Sequence, residues 1–250
     1  MINRCQRLTK REKLILTGLY LSKFDVKGLE YLGFSSFIEA FNVIGFALGA
    51  KPASIKNYRD EFDPVFPNNR KGWHKRPMRN YCQRIYEEFK FQKMEIFANT
   101  IKKIIYTNGD LEILEEKISS PKRKIDEYSF AKRLLTGQAA EKYFEMNYLK
   151  VPDFENYRLE DTTKLGCGFD FKLTNNDRSE FLGIEVKGLF DHSGTISLTY
   201  KEYRVAEILK DRFYVFVVKN FKESPFWPVI LILPKSFRKL SSGNPILRKL

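Results

Sequence analysis

The residues best equipped for chemistry lie between positions 166 and 188, in the run Gly-Cys-Gly-Phe-Asp-Phe-Lys-Leu-Thr-Asn-Asn-Asp-Arg-Ser-Glu-Phe-Leu-Gly-Ile-Glu-Val-Lys-Gly. It carries Asp170 and, after a turn, Glu185-Val186-Lys187. Two carboxylates offer hard oxygen donors of the kind that hold Mg²⁺. A lysine beside them can position or deprotonate an attacking water and stabilise transition-state charge. Hydrolysis of a phosphodiester needs those things: charge neutralised on the attacked phosphate and a polarised water.

Such a set works only if the backbone brings it together. Residues 168–173 and 181–188 read as two strands around a turn built from Asn175, Asn176 and Asp177. Period-two geometry puts Phe169, Phe171 and Leu173 on one face of the first strand and Asp170 on the other. In the second strand it puts Ile184 and Val186 opposite Glu185 and Lys187. Hairpin pairing then carries Asp170 to the same end of the sheet. The bland alternative is a Glu185–Lys187 pair on a solvated strand face, the commoner fate of strand charges. Against it stands the apolar character of the rest of the strand. Further strands are predicted at 213–218 and 229–233, with a helix over 199–209 between the second and third strands and another over 127–148. The apolar segments 213–218 and 226–233 serve either as core or as an interface between copies of the chain.

Asp170 followed by Glu185-x-Lys187 resembles the PD-(D/E)xK nuclease motif, which includes most type II restriction endonucleases. Phe169 stands where the motif has proline. Thr136-Gly-Gln-Ala-Ala-Glu141 opens a helix ahead of the strands, and Glu141 matches an acidic helix residue often found in that superfamily. Region 134–235 looks like the branch typified by Mrr-like nucleases and the C-terminal domain of the plant NO VEIN protein. Its order is a helix with Glu, a strand with Asp, a strand with Glu-Val-Lys, a helix with an internal Glu, and a strand. The resemblance implies Asp170 and Glu185 as Mg²⁺ ligands, the Val186 carbonyl as a third, and Lys187 as the water-activating group. In that order the later acid is Glu202. Taken as residues alone, Glu202 and Lys201 read as surface and His192 as an incidental loop side chain.

The N-terminal part has a different texture. Thr9-Lys-Arg-Glu12 and Ser36-Phe-Ile-Glu39 are capping boxes that open helices, and Asp25 can cap a short one between them. Residues 37–62 resemble a helix-turn-helix, with Leu48-Gly49-Ala50 as the turn and Pro52 at the start of the second helix. Ser54, Lys56, Asn57 and Arg59 face outward there and could address base edges in a major groove. Arg70, Lys71, Trp73, Lys75 and Arg76 form a basic loop fit for phosphates. Residues 79–106 read as one long helix.

The expected organisation is α+β: an α-helical DNA-recognition domain over 1–120, a linker at 119–124, and a restriction-endonuclease-like α/β core over 121–250 with a central mixed sheet flanked by helices. Hydrophobic content of 43% with 30% charged residues marks a folded chain, not a disordered one. The net charge of +13 is spread evenly, 21 Lys and Arg against 14 Asp and Glu through Ser119 and 23 against 17 beyond it. An even excess attracts polyanions to the whole molecule and is not a basic tail. Three scattered cysteines without CxxC or His-x-x-x-His spacing, and only two histidines, argue against a structural zinc site. The G-x-x-x-x-G-K-[ST] loop is missing, so ATP-driven work is not supported. Residues 1–11 are polar and basic without the apolar stretch of a signal peptide, no apolar run reaches bilayer length, and a reducing cytoplasm is the expected compartment. The expected partner is double-stranded DNA, cut by a homodimer whose two-fold symmetry matches a palindromic site. A restriction role also implies a cognate methyltransferase in the host, not as a binding partner. Two alternatives stay open: a nuclease for modified, damaged or recombining DNA, and an inactive nuclease-like helix-turn-helix protein.

Overall fold

The computed structural model of the chain describes residues 8–70, 72–73, 76–106, 124–175, 180–232 and 246–247. Lys71, Lys75 and most of the expected linker lie outside them. The protein is α+β and divides into two compact units, Met1–Leu135 and Thr136–Leu250. Among the described residues no helix is long and apolar enough to cross a membrane.

The first unit is helical. Helix α1 (Lys10–Tyr31) starts on the Thr9 capping box and kinks at Asp25, whose φ of 48° is non-helical. Helix α2 (Phe37–Ala47) starts at Ser36, whose side chain accepts from the Glu39 amide. The Glu39 carboxylate returns to the amide and hydroxyl of Ser35, one residue earlier than a capping box requires. Helix α3 (Pro52–Phe62) follows a tight turn with Gly49 at φ +63°. A Cβ at Gly45 would lie 3.0 Å from the Pro52 Cα, and one at Gly18 of α1 would lie 2.6 Å from the Tyr58 Cβ. Small residues thus let α3 seat closely against both preceding helices.

The long helix expected over 79–106 is two helices, α4 (Asn80–Phe89) and α5 (Met94–Ile105). The break has a packing cause. In α5 the buried positions are Phe97, Ala98, Ile101, Ile104 and Ile105, while Ile96, the residue in phase with Ile85, is exposed. Phe97 packs against Phe89 and Tyr20, with ring centroids 5.4 Å apart in each case. The carbonyls of Lys90 and Gln92 in the break both accept from the Lys23 ammonium at 2.6 Å.

Helix α6 (Lys124–Asn147) leads into the second unit. The unit's five-stranded sheet comprises β1 (Arg158–Asp161), β2 (Phe171–Thr174), β3 (Leu182–Gly188), β5 (Phe213–Lys219) and β6 (Phe226–Ile232), in that spatial order. Short β4 (Ile196–Ser197) pairs instead with β7 (Ile246–Leu247). Neighbours in the main sheet are antiparallel except β3 and β5, which are parallel and joined through helix α7 (Tyr200–Leu209). The expected mixed sheet is therefore present.

Helices cover both faces of the sheet. Phe144 of α6 packs against Phe171 and Phe216, at 5.1 and 4.8 Å between centroids. On the other face Ala206 and Leu209 of α7 join Phe213, Val215 and Val217. Strand β5 is buried between β3 and β6 and belongs to the core, so of the two apolar segments only β6 lies at a sheet edge.

Candidate active site

Strand β3 alternates as its sequence requires. Ile184 and Val186 are buried, and Gly183, Glu185 and Lys187 take the other face. There a Cβ on Gly183 would lie 2.8 Å from Leu209 of α7. Glu185 is level with Val215 of the parallel neighbour β5, whose side chain belongs to the α7-side cluster. Lys187 lies one strand step further along.

Asp170 arrives by a different route from the one expected. The strand begins only at Phe171, and residues 167–170 form a bend. Phe169 packs against Phe181 and the α7-side cluster, while Phe171 packs against Phe144 on the opposite side. The anticipated common face of Phe169, Phe171 and Leu173 is thus broken at its first member. The cause is the turn before it, where Gly166 has φ +58° and Gly168 φ +96°. At Gly168 a Cβ would also lie 2.8 Å from the Val205 side chain of α7. Thr162, at the end of β1, fixes the bend from the other side: its amide donates to the Asp170 carbonyl at 2.9 Å and its hydroxyl to the Phe169 carbonyl at 3.2 Å. The Asp170 amide donates to the Ile184 carbonyl at 2.9 Å. Beyond the last paired residues, Phe171 and Ile184, the Asp170 carboxylate accepts the Val186 N–H at 2.8 Å.

The structure brings Asp170, Glu185 and Lys187 together and adds Glu202. The Lys187 ammonium donates to the Glu185 carboxylate and, at 3.0 Å, to Glu202. Glu202 sits at the third position of α7, where it also closes the capping box with Thr199. Reading it as a surface residue was wrong; its side chain is 15% exposed and points to Lys187. The signal was the Thr-x-x-Glu box itself, which forces the acid into the first helical turn beside the sheet. Lys201 is exposed, as anticipated, and its ammonium donates to the Gly166 carbonyl. Glu141 lies half-buried on α6. Besides Glu185 itself, the acid bonded to Lys187 comes from α7, as Glu202. His192 is exposed and its ring lies tilted against Phe226, 5.3 Å between centroids.

The electrostatics are those of an acid-rich site. Burial pushes the Asp170 carboxyl up to about 6, against the Val186 N–H and Lys187, which pull it down. Burial and the neighbouring Asp170 hold Glu185 well above the ordinary carboxylate range. Burial works against the Lys187 ammonium, but Glu185 and Glu202 outweigh it and hold its pKa up. One cation thus faces three carboxylates, with Asp161 adding to the repulsion on Asp170. Among the described residues no three His, Cys, Asp or Glu side chains form a metal cage. The donor set that fits a hard divalent cation is two carboxylates, Asp170 and Glu185, completed by a carbonyl such as that of Val186 and by water.

In the first unit the expected DNA-facing residues divide. Asn57 and Lys56 are exposed on α3 and Ser54 is half-buried, but Arg59, expected to face outward, is buried. Its guanidinium lies between the Asp60 carboxylate, at 2.8 Å, and the rings of Phe37 and Phe41, at 4.9 and 5.0 Å. Gly18 draws that side of the helix against α1, so position 59 turns inward. Arg70 is likewise held within the fold, donating to Asp63 at 2.8 and 2.9 Å and to Asp25. Asp25 therefore binds Arg70 as well as marking the kink. Trp73 and Arg76 remain accessible, with the Arg76 guanidinium 4.5 Å from the Trp73 ring centre.

Residues 140–232 match the model of the family described as Protein NO VEIN, C-terminal. The match covers the end of α6, the whole main sheet and α7, and so takes in Glu141, Asp170, Glu185, Lys187 and Glu202. No curated protein and no solved structure matches the chain.

Proposed function

We propose that the chain is a Mg²⁺-dependent DNA endonuclease of the restriction type, hydrolysing phosphodiester bonds of double-stranded DNA at a specific sequence and leaving 5′-phosphate ends. The observation that carries this reading is the site on β3: Asp170 and Glu185 beside Lys187, where three carboxylates share one lysine. The match to the NO VEIN C-terminal family over the same residues supports a nuclease-like role.

Asp170 and Glu185 would hold the ion, with the Val186 carbonyl beside them. When bound there, Mg²⁺ supplies charge neutralisation at the phosphate and acidifies a water. The Val186 N–H keeps the Asp170 carboxylate aimed into the site. Glu202 and Glu185 hold Lys187 as an ammonium, able to orient a water and to stabilise charge on the phosphate oxygens. The helical unit would supply recognition, through Asn57 on α3 and the loop carrying Trp73. One hydrolytic centre per chain and two strands to cut favour a two-fold homodimer on DNA.

Supercoiled plasmid incubated with the protein and Mg²⁺ tests this. Discrete linear fragments are expected from the wild type, and uncut plasmid from Asp170→Ala and Glu185→Ala variants that still bind DNA in Ca²⁺. Either variant cutting within about tenfold of wild type, a barrier change of about 1.4 kcal/mol, would remove the site assignment. Light scattering of the Ca²⁺ complex reads the stoichiometry, and one chain per duplex that breaks both strands in a single binding event contradicts the homodimer.

A further inference from the structure

The outer face of α3 is nearly neutral. Lys56 is bonded to Asp60 at 2.6 Å, and Arg59 lies beneath the surface. Positive charge gathers instead where the loop after α3 meets the ends of α1 and α4. The Trp73 amide donates to the Asp60 carbonyl at 2.9 Å, which ties the loop to α3. At the preceding Gly72 (φ +50°) a Cβ would lie 2.9 Å from the Asp63 Cβ, so the loop can lie this close only with glycine there. The Arg76 and Arg79 guanidiniums lie 4.5 and 5.3 Å from the centre of the Trp73 ring. Arg79 also lies 5.4 Å from the Tyr58 ring and 5.1 Å from the Tyr81 ring. Arg11, exposed at the start of α1, sits 3.7 Å over Tyr81.

Six side chains thus form one continuous arginine–aromatic surface. Arg76 and Arg79 are anchored from below by a single acid, Glu61, whose side chain is 1% exposed. Each arginine keeps more than a third of its own surface in water. Guanidiniums fixed on one edge and open on the other are preorganised to donate to phosphate oxygens. Their net charge exceeds that of the acid beneath them, and the neighbouring aromatic rings attract them without neutralising them.

We infer that this surface, Arg11, Tyr58, Trp73, Arg76, Arg79 and Tyr81, is where the helical unit grips the phosphate backbone of duplex DNA, next to Asn57 on α3. The identity of the ligand rests on the endonuclease reading; the location of the surface does not. Arg59 and Arg70 take no part in it, because their charge is used inside the fold.

The test uses the full chain carrying Asp170→Asn, to silence cleavage, and Trp227→Phe, so that Trp73 is the remaining tryptophan. Titration with a short labelled duplex should change Trp73 emission. Adding Arg11→Gln with Arg76→Gln should weaken binding about tenfold or more and lower the salt dependence by about two phosphate contacts. Arg11→Gln alone holds no buried acid in place and should lower the salt dependence by about one; it keeps the test decisive if the double variant melts early. Unchanged affinity and salt slope in folded variants would overturn the inference, as would tighter binding of a single strand than of the duplex through the same residues. If the wild type cuts plasmid while these variants bind normally, the surface is wrong and the nuclease reading stands. If they lose binding while the wild type never cuts, the reverse holds.

Discussion

Glu61 and Glu185 are equally buried, each 4% exposed, yet their surroundings are opposite. Glu61 in the helical unit accepts from Arg76 and Arg79 and from the Arg79 amide. Burial alone would raise its carboxyl; these partners outweigh it and hold it below the ordinary range. Glu185 in the sheet unit shares one lysine with Glu202 and faces Asp170, and its carboxyl is held well above that range. A carboxylate that is over-supplied with cations serves the fold. One left in acidic company costs the fold stability and marks a candidate functional site.

That contrast predicts opposite responses to the same kind of substitution. Glu185→Gln and Asp170→Asn should reduce Mg²⁺-dependent cleavage by about a thousandfold or more, roughly 4 kcal/mol of barrier, without lowering the melting temperature. Lys187→Ala should follow closely in cleavage, and Glu202→Gln should fall between it and wild type, since Glu185 still holds the ammonium. Rescue of Glu202→Gln by Glu202→Asp, read in kcat at saturating DNA, separates positioning of Lys187 from a loss of helix capping. Normal kcat in folded Glu202→Gln would confine that residue to its cap.

Glu61→Ala should do the reverse. It leaves Arg76 and Arg79 without their shared acid and opens a buried space. The expected loss is about 2–3 kcal/mol, below the full figure for a buried pair because both arginines are partly solvated. Denaturant melts of the full chain followed at Trp73 and Trp227 would locate that loss in the helical unit. A protein as stable as wild type would mean that the ion network is dispensable.

Much of this was legible in the residues. The strand period placed Glu185 and Lys187 on one face, and the capping residues Thr9 and Ser36 started α1 and α2 where read. What was not legible depended on contacts between elements distant in sequence. No glycine or proline marks the break between α4 and α5; it comes from Phe97 packing on Tyr20 and Phe89 and from Lys23 taking the freed carbonyls. Arg59 sits at a helical position that looks solvent-facing, and only the close approach of α1 at Gly18 turns it inward. In the site, Asp170 does reach Glu185 and Lys187, but by another path than the strand period implied. Two positive-φ glycines displace it from the strand period, and its side chain reaches the Val186 amide from a bend.

The smallest effect expected is in the pH dependence of stability without metal. Asp170 has a folded-state pKa of about 6, above its ordinary 3.8. Between those values the folded chain binds more protons than the unfolded one, so stability falls as pH rises through that window. Above pH 6 the ionised carboxylate is a standing cost. Asp170→Asn removes it and keeps an oxygen for the Val186 N–H. The variant should therefore match wild type near pH 4 and exceed it at pH 7–8, by about 1–2 kcal/mol, less than the full shift implies because the side chain stays partly solvated. Asp60 and Glu61 run the other way: their lowered values give stability that is present above the ordinary carboxylate range and lost on acidification. Thermal melts of both proteins in EDTA across pH 4–8 read the two trends together. A gap between variant and wild type that is constant with pH, or wild type the more stable at pH 8, would mean that Asp170 carries no uncompensated charge, and the contrast with Glu61 would fail. Mg²⁺ should close the gap from the wild-type side alone, because a cation held by Asp170 stabilises the folded state in proportion to its binding.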